Sequence, residues 1–219
     1  MLRPASNAEL ALVLGVPSAL SISSAIAWHL RRGTTTPFTD NNLLVSLGVQ
    51  LLFAALLVPY LARRKWRPME VAGAPAPLDV ARGLGLWVVL IGLFYLEMTA
   101  LYISAPAIVA PLRTNPFVGH LSPAVSIATA VIDPIFEEFF FLGYAVPAVG
   151  NRFGMRVAFA TTVLLRVAAH AYQGRLAIIA ILPVALVLTS YFVRTGRLWP
   201  VIVAHIVQDS IALSLMGMT

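Results

Sequence analysis

Three pairs of ionisable residues recur at a spacing of four inside apolar stretches: Asp133 with Glu137, Arg166 with His170, and His205 with Asp209. Residues four apart share one face of an α-helix, so each stretch presents a polar stripe on an apolar rod. Glu138 stands next to Glu137 but is turned about 100° from it, so the two carboxylates address different neighbours. One glutamate is expected to do chemistry and the other to orient it or hold a cation. A carboxylate at the centre of a membrane helix costs roughly 3 kcal/mol on insertion scales. Two adjacent ones within the apolar stretch 132–144 therefore mark an internal polar site.

A buried glutamate near an imidazole can hold a water and take its proton, while a second imidazole backed by a carboxyl group stabilises the oxyanion formed at a carbonyl. That combination hydrolyses peptide bonds. The same residues offer a second possibility, a zinc site built from His170, His205 and Glu137 with one position open for water. The cofactor expectation is thus a divalent metal such as zinc, or none. The His-Glu-x-x-His and Gly-x-Ser-x-Gly signatures are both absent, and there is no cysteine to act as a nucleophile or soft ligand. A proton-coupled transporter would use the same acids and imidazoles as a relay, but no internal repeat pairs the helices.

The elements that carry these residues belong to a membrane. Of the 219 residues 59% are hydrophobic and 11% charged, with a mean hydropathy of +0.87, against roughly 25% charged in soluble domains. About 20 apolar residues span a bilayer, and about seven such segments occur, near 9–30, 42–62, 83–104, 122–147, 155–173, 176–193 and 198–217. The expected fold is all-α, a polytopic bundle of about seven transmembrane helices in one domain over 1–219. Residues 1–121 are expected to be scaffold and 122–217 to carry the site. Ser6 and Glu9 read as a capping box opening a retained first helix. Pro134, one turn before Glu137, frees a carbonyl and makes room for water. Glu97 stands alone on an apolar segment and reads as a structural hydrogen bond, while His29 reads as interfacial and His120 as a loop residue.

The net charge of +6 reflects orientation, and no nucleic-acid partner is expected. With the amino terminus in the cytoplasm, Arg3, Arg63, Arg64, Lys65, Arg67, Arg82, Arg152, Arg156, Arg194 and Arg197 fall inside. Arg31, Arg32, Arg113 and Arg175 fall outside, which satisfies the positive-inside bias and leaves the carboxyl terminus outside.

Taken together, the stretches Glu137-Glu138-x-x-x-Leu142, Arg166-x-x-x-His170 and His205-x-x-x-Asp209 resemble the three motifs of the CaaX protease and bacteriocin-processing family (CPBP, also called Abi). These intramembrane proteases, often described as metalloproteases, include the CaaX prenyl endopeptidases. The resemblance covers roughly residues 122–215. It implies that Glu137 activates water, that His170 is its partner, that His205 with Asp209 stabilises the oxyanion, and that Glu138 supports. It implies a membrane-associated peptide or protein substrate in the lipid bilayer, prenylated CaaX proteins being the class that suits eukaryotic relatives.

Two positions depart from the pattern. Leu142 stands where the family has arginine, and Arg166 where it has phenylalanine. The positive charge is read as having moved, Arg166 neutralising Glu138 from a neighbouring helix. The alternative suggested by Leu142 is a non-catalytic scaffold or immunity-type protein that keeps the fold. The segment boundaries also place Glu137 and His205 nearer the cytoplasmic side and His170 near the outer end of a helix begun at Met155. A deeper helix start, a strong tilt or a re-entrant turn after Gly154 is then needed to unite them.

Overall fold

The computed structural model describes residues 5–30, 38–109, 121–171 and 175–217. Arg3, Arg31, Arg32, Arg113 and His120 lie outside the described residues. The described chain is helical: α1 (Asn7–Leu10), a π-helical segment (Ala11–Gly15), α2 (Val16–Leu30), α3 (Asp40–Arg63), α4 (Pro68–Ala72), α5 (Pro77–Ser104) and α6 (Pro106–Val109). There follow α7 (Pro123–Glu138), a second π-helical segment (Phe139–Ala145), α8 (Val146–Phe153), α9 (Met155–Ala169), α10 (Arg175–Thr195) and α11 (Trp199–Gly217).

Local chemistry sets the ends. The side chains of Ser6, Thr39 and Ser122 each accept a backbone N–H of the first turn that follows, and Pro68, Pro77 and Pro123 open their helices where no N–H is needed. Gly154 separates α8 from α9 with φ +90°, a left-handed conformation that favours glycine. Ser6 caps as expected, but Glu9 does not reach back to it. Its carboxylate instead accepts from the Tyr144 hydroxyl at 3.0 Å and pairs with Arg64 at 3.3 Å, tying α1 to the second π-helical segment.

Among the described residues four helices are long and apolar enough to cross a membrane by length and composition: Asn7–Ala27, Asp40–Arg63, Pro77–Ser104 and Ile178–Thr195, with Trp199–Ser214 shorter. They face outward with bare apolar side chains, among them Leu96 and Ile103 at 70% and 76% exposure, as lipid-facing surfaces require. The helices bearing Glu137 and His170 fall outside that set. α9 has 15 residues, and α7 carries Asp133, Glu137 and Glu138 close together before running into the π-helical segment.

That segment explains the depth mismatch. The helix expected to end at 147 continues through the π turns to Phe153, where Gly154 reverses the chain. Glu137 lies 17 residues before Gly154 and His170 16 residues after it. α8 packs along α9, and at about 1.5 Å per residue the two arms bring Glu137 and His170 to one height. No deeper start or re-entrant turn is required.

α11 packs chiefly against α5 and α7. At Gly83 on α5 a Cβ atom would come within 2.6 Å of Val203 and 2.8 Å of the Pro200 carbonyl oxygen, so only glycine lets α11 lie this close. The start of α5 is fixed to the α10–α11 turn by Asp79, 2% exposed, which accepts Nε and Nη2 of Arg197 at 2.8 and 2.7 Å. That hydrogen bond holds the Arg197 guanidinium above the usual arginine range.

Candidate active site

Glu138 points between α9 and α11 and is fully buried. Arg166 Nη1 donates to its Oε1 at 2.7 Å and Nη2 to its Oε2 at 2.6 Å, a bidentate pair formed from the neighbouring helix. The guanidinium also lies 5.5 Å from the Phe141 ring centroid. His205 Nδ1 sits 2.6 Å from Glu138 Oε1. Since a carboxylate only accepts, this nitrogen carries the hydrogen. Leu142 occupies a different environment, fully buried among Leu188, Leu198, Val201 and Ile202. Arg166 is therefore the guanidinium that meets Glu138, and Leu142 serves the apolar core.

Glu137, turned away from its neighbour, meets His170. Its Oε1 is 3.9 Å from His170 Nε2, and its Oε2 is buried with no hydrogen-bond partner among the described residues. His170 is the residue at which α9 ends, and its Nδ1 lies 2.8 Å from the Arg166 carbonyl oxygen. A carbonyl accepts only, so Nδ1 carries a hydrogen, and in the neutral ring Nε2 then presents a lone pair. Two acceptors thus face each other at a distance too long for a direct hydrogen bond.

The remaining expected residues lie around these two layers. His205 Nε2 is 3.6 Å from Asp209 Oδ2 across one helical turn. Asp133 is bound from α3 by Gln50, whose Nε2 donates to Asp133 Oδ1. Pro134 is buried within α7, where the helix lacks the N–H that would bond the Ala130 carbonyl. The π-helical segment begins immediately after the glutamates, and its Gly143 carbonyl accepts from Trp66 Nε1 at 3.1 Å. Such segments widen a helix and are frequent at functional sites.

Residues 119–211 match the family described as Type II CAAX prenyl endopeptidase Rce1-like. The Rce1-like stretch covers less than half of the chain, yet it contains Asp133, Glu137, Glu138, Arg166, His170, His205 and Asp209. It agrees with the likeness to the CaaX protease and bacteriocin-processing family drawn from the motifs, and it makes the similarity one to a protease-type family in a chain with several membrane-length helices. No curated protein and no solved structure gave a match.

The zinc site weighed from the sequence would need His170, His205 and Glu137 to converge on one point. Among the described residues no three His, Cys, Asp or Glu side chains are grouped to hold a metal ion. His205 turns Nδ1 to Glu138 and Nε2 toward Asp209, while His170 Nε2 faces Glu137. Glu137 Oε1 and His170 Nε2 thus face each other, whereas both nitrogens of His205 are turned to other carboxylates, so the three donors do not converge on a shared metal.

Gln50, Tyr144 and Asp79 make polar contacts between elements without having been singled out in the sequence. For Gln50 a signal existed, an amide inside the apolar run of α3. A search confined to ionisable side chains passes over it.

Proposed function

We propose that the protein is an intramembrane endopeptidase that uses a glutamate-activated water to cleave a membrane-associated substrate, with prenylated CaaX-type peptides as the first class to try. One observation carries the proposal: the lone pair of His170 Nε2 and the carboxylate Oε1 of Glu137 face each other at 3.9 Å. A single water donating one hydrogen to each satisfies both acceptors and presents its own lone pairs to a substrate.

In the proposed reaction the water oxygen bonds to the scissile carbonyl carbon while Glu137 takes one of its protons. The carbonyl electron pair moves onto oxygen, where a hydrogen bond from Nε2 of His205, held as a doubly protonated imidazolium between Glu138 and Asp209, offsets the new charge. Collapse of the adduct breaks the C–N bond, and Glu137 returns the proton to the leaving amine. Glu138 and Arg166 hold His205 in place. The pairing of Arg166 with Glu138 supports reading the motif's positive charge as moved to the neighbouring helix. The charge distribution supports an amino terminus in the cytoplasm and a carboxyl terminus outside.

Purified protein incubated with membrane-anchored and prenylated peptides, with products mapped by mass spectrometry, tests the proposal. The expected result is one defined cleavage by the native protein and none by His170→Ala. Equal cleavage by both would assign the activity to something other than this site.

A further inference from the structure

Asp133 lies one turn before Glu137 on the same face of α7, and Glu137 is the residue of that face that meets His170. It is a second carboxylate on the face that the proposed reaction reserves for Glu137. No direct hydrogen bond ties Glu137 to His170 at 3.9 Å, so a competing carboxylate would displace it readily. Gln50, 83 positions earlier in the chain, bonds Asp133 through its amide Nε2–H. An amide neither gives nor takes a proton under ordinary conditions, so whatever Gln50 contributes it contributes by position. Interhelical hydrogen bonds in membranes add little stability on average, which makes stability alone a weak account of a polar side chain set in the apolar α3.

We infer that Gln50 is a positioning residue that holds the Asp133 carboxylate toward α3, so that Glu137 alone faces His170. The inference rests on the proposed hydrolysis for its consequence, and on the Gln50–Asp133 and Glu137–His170 geometry for its cause. It also makes α3, otherwise a scaffold helix, part of the site. Loss of the amide frees Asp133 to accept the same hydrogens that Glu137 and His170 share.

The test uses the full chain in detergent, comparing native protein, Gln50→Leu and Gln50→Leu/Asp133→Asn. Two readouts are taken: steady-state cleavage of a membrane-anchored peptide and the imidazole ¹⁵N resonances of His170. Gln50→Leu is expected to lower kcat by about tenfold to a hundredfold, the scale of a misplaced reacting group, with KM little changed, and to shift the His170 Nε2 resonance. Adding Asp133→Asn removes the competitor and restores both readouts toward native. Should Gln50→Leu not fold, Gln50→Met carries the same comparison. Native kcat and an unmoved His170 resonance in the single variant would overturn the inference, as would a double variant no better than the single. If native protein cleaves no peptide but the His170 resonance shifts and returns as described, the positioning stands and the hydrolytic reading fails.

Discussion

Arg166 on α9 and Glu138 on α7 are joined by two parallel hydrogen bonds of 2.7 and 2.6 Å, with both side chains closed to solvent. This pair gives the adjacent glutamates different lives. Glu138 is committed to the guanidinium and to His205, while Glu137 keeps a buried oxygen without a partner among the described residues.

Stability therefore separates the two glutamates. Glu138→Gln leaves Arg166 buried without its full counter-charge, and breaking one side of a buried ion pair costs about 3–5 kcal/mol. Glu137→Gln orphans no cation. Thermal unfolding in detergent is expected to show a large loss for Glu138→Gln and a small one for Glu137→Gln. Equal losses would mean that Glu137 is also engaged in the folded network.

Arginine geometry, more than charge alone, is expected to matter at position 166. Arg166→Leu removes the cation and strands Glu138, whereas Arg166→Lys keeps the charge but not the two-pronged fit. The predicted order of stability is native, then Lys, then Leu, read from the same unfolding midpoints. A leucine variant as stable as native would remove the ion pair from the account.

Much of this was visible in the sequence, for physical reasons. A lone arginine in an apolar segment needs a partner, and Glu138 was the carboxylate lacking its in-helix arginine, so the pairing across helices could be read from residue types. The height of His170 could not. It depends on a helix running through the π turns at Phe139–Ala145 to Phe153, and an apolar run with glycine and proline gives no length cue for that. Glu9 fits a capping box by spacing, and tertiary structure overrode that fit by offering it Tyr144 and Arg64.

Chelation is expected to leave cleavage unchanged. The imidazoles of His170 and His205 are directed at separate partners, so the donor set does not converge on one ion. Rates measured before and after treatment with 1,10-phenanthroline check this, and a loss reversed by added zinc would contradict it.

Packing between α5 and α11 is expected to reach the chemistry through His205. A Gly83→Ala side chain meets Val203 and the Pro200 carbonyl at distances that force α11 outward, and overpacking of this kind costs about 1–3 kcal/mol. Cleavage should fall along with stability, since His205 lies two residues beyond Val203. Unchanged stability in Gly83→Ala would show that the two helices can separate freely.

The central claim, that Glu137 activates the water, is tested most directly by the cleavage rate of Glu137→Gln against native protein on one membrane-anchored peptide, with matched unfolding midpoints. Loss of a general base predicts a fall of about a hundredfold to ten-thousandfold in a variant that remains folded. A folded Glu137→Gln protein cleaving at the native rate would contradict the account.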